Sequence, residues 1–540
     1  MLNGFLFALY QIPVFSFLWP YIFPFASYLP QMIWEALSKL ALLGTERGQL
    51  PPEVLKALEQ VGIQATQAPE EVLLEGAALY HQLRRAGYPL QQPEAPSDPI
   101  LQSKQAAAPP QVARQMEHIV RGNFREALPE ALQLLQQGNL PLPAEHLPAL
   151  LYKAAKKPEF WLILRPILEP VNFELLRLNP DWAAIAERPP AANCQNETQA
   201  VRVQMLRHLR YEQPEQATSW LTPCWGELTP TEKKELINTL DTGLNASDQP
   251  FLEAQLSDSR KEVRQSAAQL LLKIPDAPLQ DTLYKEAATW LTLQKDGRLD
   301  LHAPQKPIAA FKKLGLYSNK KHKYTGGARA GQAYDILSKV PPKRWEAYFG
   351  KPTLDTLRLF ARGNQQQLLT DAVANAALLH QDHRWIEALL RHWWRTDNEV
   401  RWNSALGKQL MAALPDPLFN EIMSQYLKQH QGYIDERSFA GQLLCLGAHQ
   451  WESRVARQVL QNFRDWLNAA QSVYWNMWHY KRILRVAAYQ APVDILPGFR
   501  TGWNQRTPIW GNWEGDIERL LKTLAFRKDL NEALKPPGKN

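Results

Sequence analysis

The sequence predicts an all-α protein made of helical hairpins stacked side by side as a solenoid, and three observations predict it. Leu, Ala, Gln, Glu and Arg dominate while Gly is sparse (26 of 540 residues), and 45% hydrophobic content supplies a large core. The 41 prolines sit largely between apolar-periodic stretches, where they end helices rather than break them. Ser259 to Ile274, closed by Pro275, places Val263, Ala267, Leu270, Leu271 and Ile274 on one stripe of a helix, and Ser259 with Glu262 gives a capping box at its start.

Asp258 ahead of that stretch and Arg264 after Val263 complete the pattern of the second helix of a HEAT-type repeat. A weaker echo runs from Thr396 to Leu414. There Thr396 and Glu399 repeat the capping box, Val400-Arg401 repeats Val263-Arg264, and Ser404 stands where Ala267 stood. The expected architecture is therefore an irregular HEAT-like α-solenoid.

Taken in order, residues 1–31 form a hydrophobic extension and 32–88 an N-terminal helical region. Ile33–Leu43 reads as a helix closed by Gly44, followed by Pro52–Gln60 and by Glu70–Arg85, which stops at Gly87. Residues 89–111 hold repeated prolines and few large apolar residues, the composition of a linker. Over 112–300 helical segments alternate with short breakers: Val112–Gln137, Leu147–Lys156, Phe160–Leu168, Glu197–Arg210, Glu215–Leu221, Thr231–Gly243, Phe251–Leu256, Lys261–Ile274 and Leu279–Leu293. Their pairing fits repeats of about 35–45 residues. A basic loop at 301–332 interrupts the array. A Trp-rich helical region, 333–540, then resumes with Ala333–Lys339, Thr353–Arg362, Gln366–Gln381, Arg384–Arg395, Val400–Ala413, Pro417–Gln429, Glu436–Leu446, Ser453–Asn468, Tyr474–Gln490 and Trp513–Arg527.

No charged side chain precedes Glu35, and Gly4–Leu29 is long and apolar enough for a membrane span. Pro13, Pro20, Pro24 and Pro30 interrupt it, and no basic residue precedes it as in a signal peptide. Three readings stand: translation from Met32, membrane association through residues 1–31, or a buried hydrophobic arm. Lys and Arg total 61 against 54 acidic residues, a mild excess that does not by itself imply nucleic acid. Cys194, Cys224 and Cys445 lie far apart with no paired spacing, which predicts neither a disulfide framework nor a zinc knuckle and points to a reducing, cytoplasmic setting.

Between Phe311 and Gln332, Lys312, Lys313, Lys320, Lys321, Lys323 and Arg329 occur with no acidic residue. A solvated loop is the expectation, with engagement of phosphates or an acidic partner surface as the alternative. Gly326-Gly327 and Gly331 match no phosphate-loop motif. Most of the tryptophans from Trp345 onward should be helix-packing core. The polar, Gly-punctuated stretch 498–511 is the exception, and Arg500, Trp503, Arg506, Trp510 and the adjoining Trp513 are candidate partner anchors. His380, Asp382, His383 and His392 lack metal-site spacing and read as solvated or capping residues of an inter-helix turn. No catalytic motif is found, so neither an enzymatic activity nor a cofactor is expected.

ALLGTERGQLP from Ala41, GAALYHQLRRAGYP from Gly76, NPDWAA from Asn179, the run from Thr242 to Leu271 and GARAGQAYDILSKVPPKRW from Gly327 together resemble an uncharacterised bacterial family, domain-of-unknown-function family 5691. The resemblance covers about Met32 to Trp345 well. It implies a HEAT-like helical protein without assigned activity or catalytic residues. It also implies an association with a SWIM-type zinc-finger protein, a MoxR-like AAA+ ATPase and a von Willebrand A-domain protein. The functional expectation is a non-catalytic scaffold or adaptor for protein partners. The alternative is a HEAT-like nucleic-acid-binding protein, possibly resembling a DNA glycosylase, using Lys312–Arg329 or Lys481, Arg482 and Arg485.

Overall fold

A computed structural model of the protein describes residues 29–60, 62–64, 68–86, 108–318, 324–429, 434, 438–471 and 478–534. Most of the hydrophobic extension, most of the Pro-rich linker, and Lys320, Lys321 and Lys323 lie outside the described residues. The chain divides into two compact units, residues 1–101 and 102–540. In the first, α1 (Leu29–Leu43), α2 (Pro52–Gln60) and α3 (Pro69–Ala86) enclose Ile33, Leu37, Val54, Leu58 and Val72. Gly44 ends α1 with φ +83°, the left-handed conformation a helix terminator needs. Gly76 lets α3 approach α1, since a Cβ there would stand 3.0 Å from Leu37 Cδ1.

The second unit is nearly all helix. It opens with α4 (Pro110–Val120), α5 (Leu128–Gln137), α6 (Leu147–Lys156), α7 (Pro158–Leu164) and α8 (Pro170–Leu178). Next come α9 (Gln199–Glu212), α10 (Ala217–Leu221), α11 (Pro230–Thr239), α12 (Gln249–Gln255), α13 (Lys261–Leu271) and α14 (Pro278–Ala288). A hairpin of β1 (Leu291–Leu293) and β2 (Leu299–Leu301) leads to α15 (Ala309–Lys313), α16 (Gly327–Leu337), α17 (Lys343–Phe349), α18 (Thr353–Ala361), α19 (Gln366–Leu379) and α20 (His383–Arg395). The chain finishes with α21 (Glu399–Trp402), α22 (Ala405–Ala412), α23 (Asp416–Gln429), α24 (Phe439–Leu446), α25 (Ser453–Ala469), α26 (Trp478–Gln490), α27 (Leu496–Phe499) and α28 (Glu514–Ala533).

Neighbouring helices follow a regular order. α9 packs on α11 and α11 on α13; further along, α22, α24, α26 and α28 pack in succession while α23 lies on α25. One hydrophobic core runs through this order from Cys194 to Leu524, across both edges of the basic segment. A second core gathers α4 to α8 and takes in Phe526, Leu530 and Leu534 of α28. The last helix thus serves both cores and returns to the first helices of its own unit. Arg527, whose side chain is almost wholly buried, pairs with Glu130 at 2.6 Å across 397 residues of sequence. Phe526 stacks on Phe124 with ring centroids 4.3 Å apart. An array in which each repeat touches only its neighbours has no such contact between its ends.

The helix ends are tied by a recurring device. An α-helix leaves its last carbonyls without intrahelical donors. His380 Nε2 donates to Lys339 O just after α16, His449 Nε2 to Met411 O of α22, Arg482 to Cys445 O of α24, and Arg527 to Ala488 O of α26. Arg210 does the same for Leu240 and Thr242 while bonding both carboxylate oxygens of the fully buried Asp248.

Several expectations are corrected. Val112–Gln137 is not one helix: Gly122 and Phe124, at φ +98° and +54°, break it before Pro129 starts α5. Leu279–Leu293 stops at Ala288, and its last residues form β1, antiparallel to β2. The missed signal was Asp296-Gly297 between Leu291, Leu293 and Leu299, Leu301, alternation about a hairpin turn. The Ser259–Glu262 capping box does not form, because Asp258 Oδ1 accepts the Arg260 N–H and α13 begins later, at Lys261. The second repeat echo fails too. Val263 is buried but Val400 is 81% exposed, Thr396 ends α20, and Ser404 starts a new helix by accepting the Gly407 N–H. Cys194 and Cys224 form a disulfide with Cα atoms 6.0 Å apart, so the expected absence of a cystine, and the reducing setting read from it, lose their premise. Among the described residues no helix is long and apolar enough to cross a membrane.

Arg527→Ala should lower unfolding stability by about 3 kcal/mol, because it removes the buried charge partner of Glu130 and the donor to two helix-end carbonyls, while the half-exposed Lys528→Ala should change it by less than about 0.5 kcal/mol; urea unfolding distinguishes the two. A pH effect follows from His380. Burial holds its imidazole below the ordinary 6.5, although its bond to Lys339 O opposes this, and burial lowers His392 likewise. The unfolded chain therefore takes up these protons first, and stability should be constant above pH 6.5 and fall below it. His380→Asn should flatten that fall in unfolding curves recorded between about pH 7 and 5.

Candidate functional site

The buried stripe of α13 (Val263, Ala267, Leu270, Leu271) fixes its opposite face toward a cleft of about 910 Å³. Lys261, Arg264 and Gln265 stand on that face. Phe311, anchored in the core, positions α15 so that Lys312 and Lys313 line the cleft from a second side. The start of α16 supplies a third wall, where Gly327 and Ala328 bring backbone to the surface. Gly315 is required here, since a Cβ would meet the Gln265 side chain at 2.2 Å and its φ is +68°.

Four cationic side chains thus face one carboxylate, Asp335, which is buried and accepts the Ser318 N–H at 2.8 Å. Arg264 is held by the Asp258 and Ser259 carbonyls at 2.7 and 2.9 Å, which fixes its guanidinium without neutralising it. Among the described residues Lys261, Arg264, Lys312 and Lys313 form no ion pair with a carboxylate. The basic stretch is therefore not a plain solvated loop: its first lysines belong to a helix and a cleft. Arg329 is exposed in the first turn of α16, a helix with no acidic residue in that turn and no side-chain cap.

This cleft adjoins others through shared walls. Gln265 and Gly315 also line a cleft of about 430 Å³, which shares Asp241 and Lys273 with one of about 1050 Å³. Asn238 links the 430 Å³ cleft to a further one of about 560 Å³ beside Leu162 and Tyr211. His380, Asp382 and His383 border the 1050 Å³ cleft as the turn between α19 and α20, and Asp382 caps α20 by accepting the Trp385 N–H. Among the described residues no group of His, Cys, Asp and Glu could hold a metal ion.

A buried polar cluster escaped the sequence reading. Asp371 pairs with Arg401, and Tyr324 donates its hydroxyl to Asp371 at 3.2 Å. Burial raises the Asp371 carboxyl against the pull of Arg401; burial and then the Asp371 charge raise the Tyr324 phenol and push Tyr334 up to about 12. The Asp371–Arg401 pair holds α21 to α19. The available signal was Asp371 itself, a carboxylate on the apolar face of QQLLTDAVANAALL. It also explains Arg401, whose role is this ion pair and not the bonding pattern of Arg264.

The tryptophan stretch is folded inward. Trp513 is buried against Phe463 and Trp466, with ring centroids 5.1 and 5.6 Å away, and Trp503 and Trp510 pack half-buried on the same core. Arg464 and Asn468 of α25 bind the loop backbone at Gly498 and Gly502, and Trp503 Nε1 donates to Phe499 O. Of the expected anchors only Arg500 and Arg506 are exposed. Phe499 and Ile509 are core residues, so deleting 498–511 would damage the fold and not simply remove a contact. Of the basic residues proposed on α26, Lys481 pairs with Asp516 and Arg482 bonds Cys445 O, while Arg485 is exposed.

Trp513→Ala should cost about 3–5 kcal/mol in unfolding stability, whereas Arg506→Ala should stay within about 0.5 kcal/mol. Equal effects in thermal denaturation would contradict this placement.

No curated protein and no solved structure matches the chain. A family model described as a family of unknown function, DUF5691, matches residues 36–534, which takes in both the helices of the first unit and the basic cleft of the second. The chain belongs to the DUF5691 family.

Proposed function

We propose that this protein is a non-catalytic, HEAT-like helical-repeat scaffold that holds a protein partner along the linked clefts of its second unit. The observation that carries the reading is their continuity: Asn238, Asp241, Gln265 and Lys273 are each shared between adjoining clefts, giving one extended surface of mixed polarity and not a closed pocket. The repeat reading is supported by the helix-end bonds. Their donors follow their acceptors by 41, 38, 37 and 39 residues, near the length of one HEAT repeat. The partners proposed are those implied by the family resemblance, an AAA+ ATPase, a von Willebrand A-domain protein and a SWIM zinc-finger protein acting in one system.

Affinity purification of the full chain should recover at least one such partner. The double substitution Asn238→Arg and Lys273→Glu alters side chains at the cleft junctions, where Lys273 is exposed and only Asp241 pairs with it. It should leave the thermal melt unchanged and reduce capture by about tenfold, the effect of placing wrong charges in an interface. Undiminished capture of the same partner would reject the surface.

A further inference from the structure

We infer that the 910 Å³ cleft, at one end of the linked surface, is also a binding site for a small polyphosphate-bearing ligand, a function that does not depend on partner capture. Four cations from two segments, Lys261 and Arg264 on α13 and Lys312 and Lys313 on α15, are gathered where only Asp335 carries opposing charge on the lining. Like charges held together in a cleft are unfavourable until an anion offsets them, and the carbonyls that grip Arg264 keep it from turning away. The third wall adds to the same field. α16 follows Gly326 without a side-chain cap or a first-turn acid, and its Arg329 opposes the positive end of the helix dipole. Gly327 and Ala328 are exposed and present almost no side chain, so an anion can approach the start of the helix closely.

The ligand class follows from concentration of charge. An acidic peptide spreads its carboxylates along a line, whereas a di- or triphosphate places several charges on a few atoms, as convergent cations require. The volume is that of a small-molecule site. No phosphate-loop spacing announces it in the sequence, because the walls come from residues 261–265, 307–318 and 327–335.

Titration calorimetry of the full chain with inorganic tripolyphosphate and with a nucleoside triphosphate tests the site. Saturable one-to-one binding that weakens with salt is expected. Tighter binding of the nucleotide supports the site and adds a sugar or base contact; equal binding supports it with phosphate as the whole determinant. Lys312→Gln with Lys313→Gln, both exposed in the free protein, should raise Kd by about tenfold or more, the loss expected for charge-assisted bonds, with an unchanged thermal melt. The Asn238→Arg, Lys273→Glu protein should bind the phosphates as the parent does, so the two readings fail separately. Absence of saturable binding, binding unaffected by the lysine substitutions, or an oligonucleotide that binds far more tightly through the same lysines would overturn the inference.

Discussion

Helices end with carbonyls that have no donor, and the second unit depends on how these are satisfied. Side chains from later in the chain reach back to them: His380 in the turn after α19 to Lys339, His449 in the turn before α25 to Met411, Arg482 on α26 to Cys445, and Arg527 on α28 to Ala488 and Ala491. A buried carbonyl without a partner costs roughly 1–3 kcal/mol, so each bond penalises any other placement of its helix. Apolar stripes say only that helices must pack. These donors specify which helix end meets which neighbour, and they recur at nearly one spacing.

The same economy governs the ends of the unit. α28 buries Ile517, Leu520 and Leu524 in one core and Phe526, Leu530 and Leu534 in the other. Its Arg527 serves Glu130 and the end of α26 together. The helices of an open array keep an unpacked apolar face at each end and need polar capping repeats. Here the final helix covers the first ones instead.

The cleft inferred to take phosphates lies where the packing order is interrupted. The hairpin β1–β2 and the short α15 sit between α14 and α16, and Asn364 seals the hairpin by bonding Leu301 N and Leu299 O. This inserted piece carries Lys312 and Lys313 to the face of α13 that already bears Lys261 and Arg264. The tryptophans, by contrast, are structural. Trp513, Phe463 and Trp466 fill the space between α25, α26 and α28, where broad rigid rings suit irregular gaps.

Helical class, the stripe of α13, the Gly44 terminator and the family were legible in the sequence, because period, composition and left-handed glycines are local properties. The capping boxes at Ser259 and Thr396 were misread, since an Asp turn and a helix end competed for the same few residues. Pairings between distant residues carry no local mark. The Cys194–Cys224 bond, the Asp371–Arg401 pair, the Glu130–Arg527 closure and the meeting of α13 with α15 across one cleft were decided only in the tertiary structure. The physical reason is that periodicity fixes which face of each helix is buried, whereas the neighbour it is buried against depends on which distant side chain satisfies its ends and its charges.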